Sequence, residues 1–235
     1  MRPTARKLTS ISDAFDPPER RQKDKAVYIT GHYSTTFRLG QMGDMIRQLE
    51  DTTNILLEEP PLGGSRDICT TLLVEGVSEP NVLFVSFTRS ASDCVAQLDD
   101  VGNVGVITVG DASTAVEQEG VVTDNVSTPS DLTGLGISIG RILSEWRDPV
   151  LVCFDSLTSM LQYVDIKTAY EFLHAITGQI YAAGARAHFH IDPSAHDSQD
   201  VAAISSLFDA RVQLDGDDRE IRTRTLLESG GPAQS

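Results

Sequence analysis

A short apolar run, a glycine-containing turn and an amphipathic segment follow one another over residues 54–73, and this succession constrains the fold most. The stretch reads NILLEEPPLGGSRDICTTLL. Ile55–Leu57 has the length of a buried strand, Gly63 and Gly64 mark the turn, and apolar residues at helical spacing follow. In a phosphate-binding loop of this layout, backbone N–H groups at the start of the helix face an anion. The segment therefore predicts a strand, loop and helix of an α/β fold.

The turn lacks the side chains that such a loop uses on a nucleotide. Under the pattern G-x-x-x-x-G-K-[ST], the first glycine falls on Glu59, the lysine on Ser65 and the hydroxyl residue on Arg66. A forked guanidinium one position later does not replace the lysine. Two interpretations stay open, a tight turn that binds nothing or a vestigial nucleotide site. The residues of that vestigial site would be Gly63, Gly64, Ser65, Arg66 and Asp155.

Apolar runs alternate with helical patterns along the rest of the chain. Strands are predicted at 81–87, 104–109, 121–126, 149–154, 186–191, 210–214 and 220–226, and helices at 39–49, 90–98, 130–146, 166–183 and 198–207. This alternation predicts a single α/β domain, with a mostly parallel sheet, helices on both faces and a C-terminal antiparallel strand pair. We expect the domain to span residues 26–228, with a disordered tail at 1–25 and a flexible tail at 229–235.

Residues that directly follow the predicted strands are candidates for function, because parallel sheets bind ligands at the carboxyl ends of their strands. Asp155 follows a buried strand, where it would either hold magnesium and its water or cap the next helical segment. Thr88 follows the second strand, where a hydrolase would need a carboxylate to activate water. A threonine cannot act as a general base at neutral pH. We therefore expect no catalytic residues and negligible nucleotide hydrolysis.

A histidine-rich stretch, HFHIDPSAHD, covers residues 188–197. His188, His190 and Asp192 alternate along a predicted strand, so their side chains share one face. Three such groups predict a metal site, with His196 nearby as a fourth ligand. The alternative is that they line the rim of the sheet and hydrogen-bond one another.

Three cysteines stand far apart in the sequence, at Cys69, Cys94 and Cys153. Each lies among apolar residues, and their spacing matches neither a disulfide framework nor a zinc motif. We expect them to be buried, reduced thiols.

The formal net charge is −15, and only four of the 19 basic residues are lysine. An acidic body without a basic stripe excludes nucleic acid as a partner. The sequence contains no apolar run long enough for a membrane span and no signal peptide, so we expect a cytoplasmic protein. The acidic surface either meets a basic partner or is an adaptation to a salt-saturated cytoplasm. The even spread of acids and the scarcity of lysine favour an extreme halophile.

Four segments together resemble the RecA/KaiC family of ATPase domains over residues 39–227. They are Asn54–Leu73, NVLFVSFT, LTGLGISIGRIL and PVLVCFDSLTSML, and VCFDSLTSML looks like the family's second nucleotide motif. The chain looks closest to a KaiC-like group of haloarchaeal proteins. The resemblance implies that Asp155 is the metal-site aspartate and Gly64 the last loop glycine. The family's lysine and catalytic glutamate have no counterpart.

These observations predict a degenerate, non-hydrolysing protein that acts in regulation or signalling through protein contacts. We expect no cofactor, and we expect a protein partner, a homo-oligomer or an active paralogue. One alternative is a nucleotide-binding ATPase with a non-standard phosphate loop, which would take ATP and magnesium. Another is a metal-binding hydrolase that uses the H-x-H-x-D cluster.

Overall fold

An eight-stranded sheet runs through the computed structural model of the chain. Its strands are β1 (Asn54–Glu58), β2 (Asn81–Ser86), β3 (Val104–Val109), β4 (Val121–Val126), β5 (Val150–Asp155), β6 (Arg186–Ile191), β7 (Ala210–Asp215) and β8 (Asp218–Thr223). The spatial order is β4-β3-β2-β5-β6-β1-β7-β8. Strands β1 to β7 pair in parallel, and β8 pairs antiparallel with β7. The predicted α/β class, with its C-terminal antiparallel pair, is confirmed.

Helices connect the strands. They are α1 (43–48), α2 (Arg66–Val74), α3 (Ala91–Val95), α4 (Leu132–Glu145), α5 (Leu157–Met160), α6 (Ile166–Ala182) and α7 (Ser198–Ser205), with a 3-10 turn at Pro193–Ala195. Side-chain caps begin several of them: Ser90, Asp131 and Asp165 each accept a backbone N–H from the residue three positions later. None of the described helices is both long enough and apolar enough to cross a membrane.

Both faces of the sheet are covered, which explains why the central strands read as continuous apolar runs. On one face, helices α4 to α7 pack over residues such as Leu56, Phe154 and Phe189. On the other face, α1, α2 and α3 cover two smaller apolar groups, one around Phe84 and one around Leu57. Helix α2 contributes to both smaller groups, so it lies over the middle of that face.

The structure describes residues 43–60, 66–74, 77–98, 101–111, 114, 116–147, 150–215 and 218–224. All of them belong to one compact unit. The predicted tails and the turn predicted at residues 61–65 lie outside the described residues. The same holds for residues 26–37, whose weak alternation of apolar and polar residues predicts an accessory strand.

Candidate functional site

Four neighbouring strands end side by side at one edge of the sheet. In the order β2-β5-β6-β1, the residues at or directly after the strand ends are Phe87, Asp155, Ile191 and Glu59. Backbone hydrogen bonds fix this edge, with Phe87 N–H donating to the Asp155 carbonyl at 2.8 Å and Glu59 N–H to the Ile191 carbonyl at 3.0 Å. The peptide bond between Asp155 and Ser156 is cis. Parallel sheets of α/β proteins bind ligands at this edge, outside the carboxyl ends of the strands.

An arginine occupies the space in front of the candidate magnesium ligand. Arg89 Nε lies 2.9 Å from Asp155 Oδ2, and the two side chains are 22% and 21% exposed. The N–H bond of Nε is not aligned with that oxygen, so the contact is an ion pair rather than a hydrogen bond. Arg89 also donates from Nη1 to Gln97 Oε1 at 3.0 Å and lies over the ring of Phe84, 5.8 Å from its centroid. These contacts hold the guanidinium against the carboxylate.

The charge of Asp155 also affects the arginine. Burial is the largest single effect and lowers the pKa of Arg89, but the negative charge of Asp155, together with smaller contributions from the three cysteines, raises the pKa above its ordinary value. Asp155 is not a helix cap, because Ser156 accepts the backbone N–H of Ser159 at the start of α5. The charged partner of the Asp155 carboxylate is therefore the guanidinium of Arg89.

The structure describes only some of the other residues of the predicted nucleotide site. Gly63, Gly64 and Ser65 lie outside the described residues, and Arg66 is the first residue of α2, with a side chain that the structure does not describe. Thr88 is exposed in the loop between β2 and α3.

Two carboxylates at the end of β1 have partners on neighbouring strands. Glu58 is 3% exposed, and its Oε1 lies 2.6 Å from Nη2 of Arg211 on β7. Glu59 accepts the Nδ1–H of His190 at Oε1, over 2.9 Å. Each acid is thus paired with an internal partner.

A buried group of two cysteines and two histidines lies under helix α2, and the sequence did not predict it as a unit. Cys69 comes from α2, Cys153 from β5, and His188 and His190 from β6. All four side chains belong to residues that are at most 4% exposed. Their ligand atoms, one from each residue, lie within 4.8 Å of one another.

The distances inside this Cys2His2 cluster are short. The two sulfur atoms are 3.4 Å apart. His188 Nε2 lies 3.2 Å from Cys69 Sγ, and His190 Nε2 lies 3.5 Å from Cys153 Sγ. The histidine rings meet edge to face, with centroids 5.1 Å apart. The alternation on β6 places both histidines on one face, as predicted.

Asp192, the third residue of the predicted metal site, is separated from this cluster. Strand β6 ends at Ile191, so the alternation that aligns the two histidines does not continue to Asp192. Its Oδ1 accepts the backbone N–H of Ser194 at 2.9 Å and the Ser194 hydroxyl at 2.7 Å, which caps the 3-10 turn. His196 instead lies 3.3 Å from the Thr158 hydroxyl.

The three cysteines have different environments. A hydrogen bond from the Cys153 thiol lowers the pKa of Cys69 well below its ordinary value, against the effect of burial. Burial raises the pKa of Cys153 well above its ordinary value, and that of Cys94, outside the cluster, to about 11. Of the three, Cys69 therefore has the most thiolate character, and the thiolate is the form that metals bind.

The pKa of His190 is also shifted. Burial alone would lower this pKa, but hydrogen bonds with Cys69 and Glu59 raise it to about 10.

Two solved structures show the same fold at low sequence identity. The first, titled "Structural study of Project ID PH0250 from Pyrococcus horikoshii OT3", has a TM-score of 0.58 and 13% identity, covering 79% of this chain and 93% of that one. An uncharacterized protein from the same organism, PH0321, solved in complex with an unknown peptide, has a TM-score of 0.55 and 12% identity over 78% and 89% of the two chains. The flagellar accessory protein FlaH from Methanocaldococcus jannaschii has a TM-score of 0.46 and 11% identity over 72% and 75%.

No curated protein matches the sequence. A protein-family profile does match, over residues 52–214. This range holds β1 to β6, all of β7 except its last residue, the Cys2His2 cluster and the Arg89–Asp155 pair. The chain has a RecA-like α/β fold and belongs to the Family of unknown function (DUF7504).

Proposed function

We propose that this protein is a RecA-like domain that does not hydrolyse nucleotides and acts through contacts with another protein. The observation that carries the proposal is the ion pair between Arg89 and Asp155. An aspartate that binds magnesium, directly or through a water molecule, must have its carboxylate free to contact the hydrated ion. Here a guanidinium neutralises that charge from within the fold, so a magnesium ion would have to displace it.

The lost side chains support the same conclusion. The phosphate-neutralising lysine is replaced by Ser65, and the residue after β2 is Thr88 rather than a carboxylate. Each missing transition-state contact or general base typically costs about 10²–10⁴ in rate. The two carboxylates at the end of β1 cannot compensate, because Glu58 is paired with Arg211 and Glu59 with His190.

A metal-dependent hydrolase at the histidines is disfavoured by burial. Catalytic metal sites keep one coordination position open to water or substrate. His188 and His190 are 2% and 4% exposed, and Asp192 is engaged in capping the 3-10 turn. The geometry leaves no route for a substrate to the histidines through the described residues.

An apolar groove offers a surface for protein contact. It lies between α4 and α6, has a volume of about 810 Å³ and is lined by Leu132, Gly136, Ile137, Gly140, Phe172 and Ile176, among others. Ile137 is 68% exposed. Exposed apolar patches often mark sites of protein–protein interaction. The apolar lining favours a partner protein that presents an apolar segment as the occupant. PH0321, which shares the fold, was solved in complex with an unknown peptide.

Hydrolysis is tested by phosphate release from ATP with magnesium, at a KCl concentration that keeps the protein folded. We expect turnover at the background rate, equal in the wild type and in Asp155→Asn. Magnesium-dependent hydrolysis that disappears in Asp155→Asn would contradict the proposal. Isothermal titration with ATP in the same buffer separates a nucleotide binder from a domain that has lost binding as well.

Protein contact is tested by co-purification from a salt-rich lysate, followed by mass spectrometry. Ile137→Glu places a charge in the groove, and we expect it to release the partner. Val122→Glu is the matched control, because Val122 is also an exposed apolar residue, 39% exposed, but lies on β4 away from the groove. A partner that is retained by Ile137→Glu and lost from Val122→Glu would place the contact surface elsewhere.

A further inference from the structure

The Cys2His2 cluster has the composition and the geometry of a metal centre. We propose that Cys69, Cys153, His188 and His190 bind one zinc ion as a closed, structural site beneath helix α2. The site differs from the one predicted from the sequence, because two cysteines replace Asp192 and His196. The zinc proposal does not depend on whether a nucleotide binds or is hydrolysed at the sheet edge.

The distances between ligand atoms agree with tetrahedral zinc. With Zn–S of about 2.3 Å and Zn–N of about 2.0–2.1 Å, a tetrahedron separates two sulfurs by about 3.8 Å and a sulfur from a nitrogen by about 3.5 Å. The corresponding separations here are 3.4 Å between sulfurs, and 3.2 and 3.5 Å between sulfur and nitrogen. All separations among the four ligand atoms are at most 4.8 Å, so side-chain movements without a change of fold would complete the coordination.

The ligand types select the metal. Thiolate ligands exclude calcium and magnesium, which prefer oxygen, and two thiolates with two imidazoles in a tetrahedral arrangement are typical of zinc. The four residues are nearly inaccessible to solvent, with exposures from 0% to 4%. A site closed by four protein ligands has no position for substrate, so the ion would be structural.

Glu59 is positioned to orient the ring of His190. It accepts the Nδ1–H of His190, while the Nε2 of the same ring faces Cys153. A carboxylate that holds the second nitrogen of a ligating histidine fixes the ring and its tautomer, and removing such a partner commonly costs 10- to 100-fold in metal affinity. The protein thus supplies both the ligands and their support.

The ion would connect parts of the chain that are distant in sequence. Cys69 and Cys153 are separated by 84 positions, and Cys69 and His188 by 119. The bonds would join α2 to β5 and β6, and through His190 they would also hold Glu59. Because Glu59 precedes and Cys69 follows the turn at residues 61–65, the ion would anchor both flanks of that turn.

The first experiment measures zinc in the untagged full chain, purified under reducing conditions, by inductively coupled plasma mass spectrometry. We expect one zinc per chain as purified or after reconstitution with zinc chloride. Replacement by cobalt should give the intense visible bands of tetrahedral coordination, together with sulfur-to-cobalt charge transfer. The cobalt spectrum needs no mutation, so it remains decisive if a ligand variant fails to fold.

Variants then assign the ligands. Cys69→Ser and His188→Ala should lose stoichiometric zinc, whereas Cys94→Ser, which removes a buried thiol outside the cluster, should retain it. Asp192→Asn should also retain full zinc, which separates this site from the H-x-H-x-D prediction. Glu59→Gln should keep the cobalt spectrum but bind zinc about 10- to 100-fold more weakly in chelator competition.

Three results would overturn the proposal. The first is folded wild-type protein that takes up neither zinc nor cobalt while its thiols titrate as free. The second is a disulfide between Cys69 and Cys153 in protein purified in the presence of a thiol reductant. The third is a tetrahedral cobalt spectrum that is unchanged in a folded Cys69→Ser variant.

Discussion

The ion pair between Arg89 and Asp155 can be measured by a double-mutant cycle. Arg89→Met keeps an apolar stem over the ring of Phe84 and removes the charge, and Asp155→Asn removes the opposite charge with little change in shape. Each single variant also loses other interactions, such as the hydrogen bond to Gln97. Those losses cancel in the cycle, which leaves the coupling between the two charges.

The size of that coupling follows from distance and burial. At 2.9 Å the attraction is about 6 kcal/mol for an effective dielectric constant of about 20, and about 1.4 kcal/mol in bulk water. Removing two ions from water costs several kcal/mol when burial is complete, but both side chains remain about a fifth exposed. We expect a net coupling of about 1–3 kcal/mol, above the 0–1 kcal/mol that is typical of exposed pairs.

Urea unfolding at a fixed KCl concentration, followed by circular dichroism, gives the four free energies of unfolding. The pair formed by Arg141 and Asp124 is the matched control: its N–O distance is also 2.9 Å, but its side chains are 43% and 31% exposed. A coupling for Arg89 and Asp155 no larger than that of the control would refute the conclusion that the fold holds this carboxylate against an internal cation.

Three further outcomes are expected. Arg89→Met should free Asp155 without restoring ATP turnover, because the lysine and the general base are still missing; phosphate release checks this. Phe189→Ala should destabilise the domain by about 3–5 kcal/mol in urea unfolding, since the ring is fully buried and packs on two other aromatic rings. Asp124→Asn should cost about 0.5–1 kcal/mol near neutral pH. Burial opposes ionisation of Asp124, but hydrogen bonds from Ser138 and Arg141 lower its pKa below 3.8. Its contribution is therefore present above pH 3.8 and lost as the pH falls through the lower folded pKa, so unfolding curves of the two proteins should converge in acid.

The strands could be predicted closely from the sequence because their burial is a local pattern. The runs at 104–109, 121–126 and 186–191 become strands with those same bounds. Helix α4 begins within the predicted range 130–146, at a cap where Asp131 accepts the N–H of Gly134. Alternation along β6 also placed His188 and His190 on one face. Each of these features depends on neighbours within a few positions in the chain.

The partners of the candidate site residues could not be predicted in this way. Arg89 meets Asp155 because β2 and β5 are neighbours in the sheet, an arrangement that no local pattern specifies. Cys69 reaches Cys153 because α2 packs over β5, and β6 beside β5 completes the cluster. The spacing of these residues matches no short motif, so the sequence predicts only separate buried thiols for the cysteines.

The sequence by itself determined the fold class and the position of most elements, and it shows serine and threonine where the RecA/KaiC pattern has a lysine and a glutamate. Only the tertiary structure decided that Asp155 is neutralised by Arg89 and that two cysteines, rather than Asp192, join the histidines. The physical reason is that strand order and helix packing are set by burial of the whole apolar surface. That global arrangement, and not the local residue pattern, brings side chains 66 to 119 positions apart into contact.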